Sequence, residues 1–387
     1  MKITGLETFL TNSGLRNYLF LRLTTDACIT GLGEASLEWQ EKTVETLLHE
    51  WVIDRIIGAD PFAVEELAAD MIRDQYQGGA TVMTAISGVE IACWDIMGKA
   101  LGKPLYEVLG GRCHERLPSY ANGWYGGART PAEYAAKAAA AVKLGYTGLK
   151  LDPFGTAWKT LTPGESDSAE ALIAAVRDAV GDSVDIMVEF HGRLDVPTAV
   201  AMGRRLEKYR PAWYEEPVTP NSLDQLREVK DALHVPIAAG ERLYSIEEFE
   251  RLVSLRAADI VQMDPSHCGG LGVARKVAGM AAARGMSVSP HCSIGPVALR
   301  AAVHLDWATP NARVQECFAQ FDVPWRREYV FGAESWQGGE FPLPEGPGLG
   351  LELDTGVCAA HPYRKNTFPS LWDRQWLTEF TQAERKR

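Results

Sequence analysis

Short apolar runs separated by turn signals open the chain, and apolar positions at helical spacing follow them. Residues 2–35 carry apolar runs broken by TNSG, TTD and GLGE, which predicts a three-stranded antiparallel sheet. Three helices are predicted next, and a Gly-Lys-Pro stop follows the last of them. The predicted helices span about 41–54, 63–74 and 82–101. Strands followed by helices indicate an α+β domain that ends near residue 115.

The pattern changes after residue 116, where short apolar strands alternate with Ala-rich amphipathic helices. Eight strands with intervening helices predict an α/β fold, a (β/α)8-type barrel with room for one irregular unit. The predicted strands lie at about 118–122, 147–152, 184–190, 212–216, 236–241, 258–264, 287–291 and 312–316.

The alternation of strands and helices stops near residue 325. The run GGEFPLPEGPGLGLEL that follows is turn-rich, which predicts that the chain returns to its first domain. We therefore expect a capping domain from residues 1–115, a catalytic barrel from residues 116–324, and a C-terminal segment, residues 325–387, that rejoins the cap.

Charge and cysteine content exclude several classes of protein. The net charge is −12 and no Lys/Arg-dense stretch offsets it, so a nucleic-acid partner is not expected. The seven cysteines are scattered and lack CxxC spacing. This pattern is typical of reduced thiols in a cytoplasmic protein and not of a disulfide framework or a zinc site.

No targeting or membrane-spanning segment is predicted. The opening run MKITGLETFLTNSG contains no sustained apolar stretch of the kind a signal peptide needs. We find no run of about 18 apolar residues, which is the length required to cross a bilayer.

Titratable residues recur where the predicted barrel strands end. Barrel enzymes place catalytic groups at the C-terminal ends of their strands. Taken singly, each such residue is more often a solvated loop residue or a helix-cap partner. From Glu189 to Glu316, however, successive members are 23 to 27 residues apart, one β/α unit each, so we expect them to converge on one pocket. The full set is Lys150, Glu189, Glu215, Glu241, Asp264, His291 and Glu316.

Three of these residues are glutamates on adjacent strands: Glu189, Glu215 and Glu241. Their carboxylates would repel one another strongly unless a cation lay between them. Oxygen ligands without His or Cys favour a hard ion, Mg²⁺ before Ca²⁺ or Mn²⁺, and disfavour zinc. A substrate carboxylate could fill the open positions that magnesium keeps.

The next two strands carry Asp264 and His291. An aspartate that accepts a hydrogen bond from one imidazole nitrogen fixes the tautomer and raises the basicity of the other nitrogen, which predicts a general base. The strand period also puts His191 on the same face as Glu189, and Lys150 on the same face as Asp152.

These motifs resemble the mandelate racemase subgroup of the enolase superfamily over nearly the whole chain. WYEEP (213–217), AAGER (238–242), the Asp264–His291 spacing and VQE (314–316) carry the resemblance. Within that subgroup the chain is most similar to galactonate and gluconate dehydratases. This closer similarity is carried by EFHGR, PSHCGG, SPHCSIGP, LKLDPFG and YANGWY.

The resemblance implies a magnesium-dependent dehydratase of a D-gluconate- or D-galactonate-type acid that yields a 2-keto-3-deoxy sugar acid. It implies that Glu189, Glu215 and Glu241 bind Mg²⁺, with Glu216 behind them. It also implies that His291, paired with Asp264, removes the C2 proton.

Further roles follow from the same resemblance. Lys150 would hold a carboxylate oxygen, Glu316 would hydrogen-bond another as the enediolate forms, and His191 would protonate the leaving 3-hydroxyl. We interpret Arg193 and Arg242 as charges that support the metal-binding carboxylates.

Two residues depart from the pattern of the subgroup. Glu189 stands where Asp is common, a change that the metal should tolerate. Asp152 stands where the last residue of Lys-x-Lys or Lys-x-His often supplies a second base. An exposed Asp has a pKa near 3.9 and has little proton to deliver at neutral pH, so elimination is favoured over racemisation. We expect Asp152 to bond Lys150 or a substrate hydroxyl.

Other functions remain open at this point. A Schiff-base aldolase would use Lys150 as its nucleophile, but it would leave the carboxylate ring unexplained. An epimerase or cycloisomerase of the same superfamily is the main alternative, and a catalytically idle binding or regulatory protein is the non-enzyme alternative. The family is often oligomeric, so a homo-oligomer is expected.

Gluconate and galactonate differ at C4, away from the reacting C2 and C3 carbons. We expect selectivity to arise in loops around 12–17, 36–42 and 76–78. Trp124, Tyr125 and Trp158 either line the substrate pocket or pack at the barrel mouth. The run GGLGVARK (269–276) lacks phosphate-binding spacing and predicts a tight turn before a helix.

Overall fold

A computed structural model describes residues 1–76, 78–321, 323–332 and 339–365, together with Phe368 and Trp372. The N-terminal part opens with an antiparallel sheet, as predicted, in the order β1-β2-β3. Its strands are β1 (Ile3–Asn12), β2 (Asn17–Thr25) and β3 (Thr30–Glu34). Five α-helices follow: α1 (Glu41–Leu47), α2 (Ile53–Ile56), α3 (Val64–Asp74), α4 (Ala80–Leu101) and α5 (Leu105–Val108). A π-helix, Leu48–Val52, joins α1 to α2, and a 3-10 helix, Pro61–Ala63, precedes α3.

Helix α4 packs across the sheet and forms the centre of this part of the core. A Cβ atom at Gly31 would overlap the carbonyl of Ala92, and one at Gly33 would overlap the carbonyl of Gly88. Glycine at these two strand positions therefore allows the helix backbone to approach the sheet closely.

Helix α4 is also the one helix in the described part of the chain that is long and apolar enough to cross a membrane. The sequence prediction did not single it out. However, 83% of its most apolar window is buried inside the protein, which is the behaviour of a core helix.

The second part alternates strands and helices, and its eight parallel strands confirm the predicted barrel. They are β4 (Leu117–Ala121), β5 (Gly148–Leu151), β6 (Asp185–Glu189), β7 (Trp213–Glu215), β8 (Ile237–Ala239), β9 (Ile260–Val261), β10 (Ser287–Val288) and β11 (Gln315–Cys317). Neighbours run in chain order from β4 to β10, and β11 pairs with β4. A parallel bridge between Val288 and Ala312 joins β10 to the segment that leads into β11, which closes the ring.

Seven helices connect the barrel strands, and the eighth unit is irregular. The helices are α6 (Pro131–Lys143), α7 (Pro163–Val180), α8 (Val196–Leu206), α9 (Leu223–Ala232), α10 (Ile246–Leu255), α11 (Leu271–Ala283) and α12 (Pro296–Trp307). After β11 the described residues form only a 3-10 turn, Pro324–Arg327, in that place. Tyr120 and Trp213 meet edge to face inside the barrel, with ring centroids 5.4 Å apart.

The starts of the barrel helices differ in one respect. Thr130, Thr162, Asp195 and Ser245 each accept a backbone N–H from the helix that they begin, as N-cap residues do. Helices α11 and α12 instead begin after glycines, which have no side chain to offer.

The C-terminal segment contacts both earlier parts. It contains β12 (Val330–Phe331), β13 (Glu340–Phe341), β14 (Glu352–Leu353) and α13 (Thr355–Ala360). Strand β13 pairs with β4, and the Tyr329 hydroxyl donates to the Asn12 carbonyl over 2.7 Å. These contacts agree with a return toward the N-terminal sheet, while the domain limits at 115 and 324 stay predictions. Much of the predicted segment 325–387 lies outside the described residues.

Candidate active site

A cavity of about 280 Å³ lies at the C-terminal ends of the barrel strands and is closed on one side by N-terminal loops. The barrel contributes Lys150, Glu189, His191, Glu241 and His291 to its wall. The N-terminal part contributes residues from the loop before β2 and the loop after β3, among them Arg16, Glu38 and Trp39. Two of the loops expected to control selectivity therefore face the cavity, whereas Gln77 in the third lies outside the described residues.

The three predicted metal ligands meet at this cavity. One carboxylate oxygen from each of Glu189, Glu215 and Glu241 lies within 4.8 Å of the others. Glu189 Oε2 is buried without a hydrogen-bond partner. Burial, together with the charges of Glu215 and Glu241, raises the pKa of Glu189 well above its usual range. An orphaned buried oxygen among three carboxylates is what a site for a divalent cation offers.

Lys150 is the cation that lies nearest to these carboxylates. Its Nζ atom is 2.5 Å from Glu215 Oε1, 2.8 Å from Glu316 Oε1 and 3.7 Å from Glu189 Oε2. Burial disfavours the ammonium, but the surrounding carboxylates hold the pKa of Lys150 well above its usual range. Lys150, even together with an imidazolium at His291, only partly balances three buried carboxylates and the half-buried Glu241, so a further cation would suit the charge of the site.

Glu316 is held from three sides although it lies inside the barrel. Its oxygens accept the Lys150 ammonium, the Asn122 side-chain amide at 2.8 Å and the Cys292 backbone N–H at 3.0 Å. Burial opposes its charge, yet Lys150 and His291 lower the pKa of Glu316 to about 2. The carboxylate is therefore ionised and rigidly oriented. It has no proton to donate, which departs from the expected hydrogen bond between Glu316 and a substrate carboxylate oxygen.

Asp264 and His291 form the predicted pair. His291 Nδ1 lies 2.8 Å from Asp264 Oδ2, while Nε2 faces the carboxylates, 3.5 Å from Glu241 Oε2 and 3.9 Å from Glu316 Oε2. Burial disfavours the imidazolium, but Glu241, Asp264 and Glu316 raise the pKa of His291 to about 10. With Nδ1 engaged by Asp264, Nε2 is the nitrogen that a substrate would meet.

A second Asp–His pair lies beside the first metal-ligand candidate. His191 Nδ1 is 2.6 Å from Asp152 Oδ2, and Arg193 also contacts that oxygen. Burial opposes the charge of Asp152, but Arg193 and His191 lower its pKa. Of the two partners expected for Asp152, Lys150 was wrong, because the Lys150 side chain turns to Glu215 and Glu316 instead. A bond from Asp152 to a substrate hydroxyl stays a prediction.

His191 reaches the cavity by a different route from the one predicted. Strand β6 ends at Glu189, and His191 adopts a positive φ of 49°. Its backbone N–H donates to Glu189 Oε1 over 2.6 Å. A left-handed turn, and not strand alternation, thus brings the imidazole beside Glu189.

Arg242 and Arg193, the two arginines expected to support the metal-ligand candidates, contact different carboxylates. Arg242 contacts Glu216 and lies 3.7 Å from Glu241 Oε1, as supporting charges should. Arg193 instead contacts Asp152 and the carbonyls of Phe190 and Gly155. It therefore supports the second Asp–His pair, because its side chain follows the turn after β6.

Of the two roles left open for Trp124, contact with the substrate is wrong, because its side chain packs behind the cavity wall. It is 4% exposed, its Nε1 donates to the Lys150 carbonyl over 2.8 Å, and its ring packs on Tyr125 and Tyr134. Tyr125 is the member of this aromatic group that lines the cavity.

Sequence reasoning missed three charged or titratable residues in the cavity wall: Arg16, Glu38 and His267. Arg16 Nε donates to Glu38 Oε1 over 3.2 Å. His267 Nδ1 lies 2.9 Å from Thr84 Oγ1 on helix α4. The motif PSHCGG contained His267, but nothing in its spacing separated this residue from a structural histidine.

The chain matches two family descriptions along most of its length. Residues 5–110 match the mandelate racemase/muconate lactonizing enzyme N-terminal domain. Residues 133–357 match the enolase C-terminal domain-like family.

Known proteins with similar sequence and fold cover nearly the whole chain. The D-galactonate dehydratase of Ralstonia nicotianae is 36% identical over 92% of this chain and 93% of its own. That of Variovorax paradoxus is 38% identical over 92% of each. The crystal structure of a mandelate racemase/muconate lactonizing enzyme from Jannaschia sp. CCS1 superposes with a TM-score of 0.87 at 32% identity, covering 94% of this chain and 98% of that one.

Proposed function

Because the chain belongs to the mandelate racemase/muconate lactonizing enzyme family of the enolase superfamily and is a sugar-acid dehydratase, we propose a specific reaction for it. It removes the C2 proton of a six-carbon monocarboxylic acid of the D-galactonate or D-gluconate type. Loss of the 3-hydroxyl as water then gives the 2-keto-3-deoxy acid. The observation that carries this proposal is the placement of two histidines, His291 and His191, each bonded to an aspartate, around one set of buried carboxylates.

Glu189, Glu215 and Glu241 would hold Mg²⁺, which suits their oxygen ligands and the uncompensated charge of the site. A bound magnesium ion supplies positive charge to the substrate carboxylate and so lowers the cost of the enediolate.

Lys150 and Glu316 orient the substrate carboxylate. The Lys150 ammonium donates to one of its oxygens and stabilises negative charge as it develops there. Glu316 lies 2.8 Å from Lys150 and is ionised in the structure, so it fixes the direction of the ammonium. A fixed ammonium requires little reorganisation when charge moves onto the oxygen.

His291 Nε2 takes the C2 proton. For this it must be unprotonated, and a cation held by Glu241 would offset part of the carboxylate charge that raises the pKa of His291. Asp264 accepts the Nδ1–H and stabilises the imidazolium that forms, so the proton ends on Nε2. His191 acts as the general acid at C3. Its Nδ1 is bonded to Asp152, which leaves Nε2 to donate a proton to the leaving hydroxyl. The C2–H and C3–O bonds break, one water leaves, and the enol rearranges to the 2-keto product.

Arg16 and Glu38 support a neutral, hydroxylated substrate tail. Burial opposes the charge of Glu38, but Arg16 and then the two histidines His267 and His291 lower its pKa, so it is ionised. The guanidinium of Arg16 is therefore already paired when substrate arrives. A second carboxylate on the substrate would meet Glu38, whereas hydroxyl groups can bond to both partners.

We also propose that residues 1–115 and 325–387 act together as the cap over the barrel. Cytoplasmic location and homo-oligomeric assembly are further proposals. The first is supported by the seven cysteines, which are all free thiols.

A substrate panel tests the proposed reaction. Purified enzyme with Mg²⁺ is incubated with D-galactonate, with its C4 epimer D-gluconate and with six-carbon dicarboxylic sugar acids, and 2-keto-3-deoxy products are quantified. We expect turnover of D-galactonate or D-gluconate and little or none of the dicarboxylates. Failure to dehydrate any monocarboxylic six-carbon acid, with turnover of a dicarboxylate, would overturn the proposed substrate class.

A further inference from the structure

The two loops that carry the Asp264–His291 pair each run directly into a helix that begins after a glycine. Helix α11 follows Gly270, and helix α12 follows Gly295. The first N–H groups of a helix have no partner within the helix, and a buried helix start must find acceptors elsewhere. Because glycine has no side chain, the N-cap residues of these two helices cannot accept their first N–H groups.

Two buried glutamates of the N-terminal part supply the acceptors. Glu90 on α4 accepts the backbone N–H groups of Leu271 and Gly272, each over 2.8 Å. Both of its oxygens are used, and Trp94 Nε1 also donates to Oε1 over 2.7 Å.

Glu34, the last residue of β3, makes the corresponding contacts to α12. Its two oxygens accept the N–H groups of Gly295 over 2.7 Å and Ala298 over 3.0 Å. The Ser36 hydroxyl donates to the same carboxylate over 2.7 Å. The caps of two successive barrel helices thus come from a different part of the chain.

The glycines are required by this arrangement. A Cβ atom at Gly270 would overlap the Glu90 carboxylate, and one at Gly295 would overlap that of Glu34. An ordinary N-cap residue at either position would exclude the glutamate, so the barrel helix and the cap residue are matched to each other.

Helix α4 makes two more contacts to the same loop. Thr84, Ser87 and Glu90 are three residues apart, so they lie along one face of the helix. The Thr84 hydroxyl is 2.9 Å from His267 Nδ1, and the Ser87 hydroxyl accepts the Gly269 N–H over 2.9 Å. The whole segment between Asp264 and α11 is therefore held by one helix of the N-terminal part.

We propose that Glu34 and Glu90 are positioning residues for the catalytic base: by capping α12 and α11 they set where His291 and Asp264 stand relative to each other. The inference rests on the proposed role of His291 as the base. On this account the N-terminal part does more than cover the substrate, because it also builds the proton-abstracting pair.

The geometry explains why such positioning matters. Asp264 and His291 sit on separate loops, and the 2.8 Å bond between them joins two independently anchored segments. A misplacement of about 1 Å in a reacting group can cost about a hundredfold in rate. The metal-ligand candidates come from β6, β7 and the end of β8. The hydrogen bonds of Glu34 and Glu90 instead go to α11, α12, Ser36 and Trp94.

The test uses Glu34→Gln and Glu90→Gln in the full-length enzyme. Glutamine keeps the shape but places an NH₂ group against a backbone N–H, so each change removes one acceptor. We expect at least a roughly tenfold loss of kcat and of C2–H exchange with solvent deuterium, with Mg²⁺ affinity close to that of wild type. The pH profile of kcat/KM should also shift, because His291 loses its fixed contact with Asp264.

Asp95→Asn is the matched control. Asp95 is buried on the same helix and accepts the N–H groups of Leu32 and Leu349 over 2.8 and 2.7 Å, but neither donor belongs to a loop that carries the base. Asp95→Asn should lower the Tm of the enzyme as much as the two glutamine variants do. The rate of C2–H exchange catalysed by the folded enzyme should stay near that of the wild type. Should Glu90→Gln fail to fold, Ser87→Ala removes a single acceptor from the Asp264 loop and is measured in its place. For Glu34→Gln the replacement is Ser36→Ala, which removes the hydroxyl that donates to the Glu34 carboxylate.

Two different results would overturn two different claims. If the glutamine variants lose stability but exchange C2–H at the rate of Asp95→Asn, the glutamates only dock the two parts and the inference is wrong. If His291→Asn itself exchanges C2–H normally, the base assignment fails instead, whatever the glutamine variants do.

Discussion

His191 Nδ1 lies 2.6 Å from Asp152 Oδ2, so the residue that occupies the position of a possible second base orients a histidine instead. Arg193 contacts the same carboxylate oxygen and helps to keep it ionised. Asp152 is thus neither free to donate a proton nor bonded to Lys150. This arrangement supports the proposed role of His191 as the general acid at C3.

Replacing Asp152 should therefore harm dehydration more than proton abstraction. In Asp152→Asn we expect a roughly 10- to 100-fold loss of product formation, because His191 loses the partner that orients it, with C2–H exchange largely retained. Asp185→Asn, at the exposed start of β6, is the control and should leave both rates unchanged.

NMR of unreacted substrate should show no C2 epimer with the wild type. Epimer accumulating faster than 2-keto-3-deoxy product would point to an epimerase.

Removal of the metal should abolish activity. EDTA treatment should stop turnover and Mg²⁺ should restore it, and Glu241→Gln should lose both activity and calorimetrically measured Mg²⁺ binding. The matched control is Glu247→Gln, because Glu247 is an exposed glutamate at the start of α10, in the same β/α unit as Glu241. Full activity with excess EDTA in metal-free buffer would refute the magnesium assignment.

The Arg16–Glu38 pair should set selectivity against dicarboxylates. In Glu38→Gln the guanidinium loses its counter-charge, so we expect the KM for a six-carbon dicarboxylic acid to fall about tenfold relative to that for the monocarboxylic acid. The double variant Arg16→Gln/Glu38→Gln should return the ratio toward the wild-type value. An unchanged ratio in Glu38→Gln would show that the pair does not face the substrate tail.

The periodicity of the chain was sufficient to predict the barrel and the ring of strand-end residues. One β/α unit sets the spacing from Glu189 to Glu316, and closing the sheet brings such positions together whatever the loops do. The contacts of Asp152 and Arg193 were beyond this reasoning, because they depend on the left-handed conformation of His191. The spacing of apolar and titratable residues does not indicate the backbone conformation of one residue in a turn.

Contacts between the N-terminal part and the barrel could not be predicted for a different reason. Glu34 and Glu90 act on residues roughly 180 to 260 positions away, and such pairings follow from tertiary packing alone. One signal was present: Glu90 and Asp95 interrupt an otherwise apolar helix, and buried charges need partners. Of the run 269–276 predicted as a turn, only Gly269 and Gly270 lie in one, because residues 271–276 already belong to helix α11. Nothing in the sequence indicated the partner of this turn.

Acid should weaken the fold partly through His304 on α12. Its Nδ1 accepts the Tyr106 N–H and its Nε2 donates to the Leu349 carbonyl, so the buried ring is satisfied only when neutral. Burial lowers the pKa of His304 to about 3. Below pH 6.5 the unfolded imidazole takes up a proton that the folded one does not, so stability falls as pH falls from 6.5 toward 3.

His304→Gln tests this by removing the titration while keeping a donor and an acceptor. Between pH 7 and pH 5 the wild type should lose about 2 kcal/mol more unfolding free energy than the variant. Urea unfolding at the two pH values measures the difference. Equal losses in both proteins would show that His304 does not contribute to acid sensitivity.

The most direct test of the account follows C2–H exchange in the two histidine variants. Each is incubated with Mg²⁺ and D-galactonate in D₂O, with D-gluconate in parallel, and NMR follows deuterium at C2 together with product formation. His191→Asn should exchange C2–H while dehydrating slowly, and His291→Asn should do neither. Exchange at the wild-type rate in His291→Asn would contradict the assignment of His291 as the base, and dehydration at the wild-type rate in His191→Asn would place the general acid elsewhere.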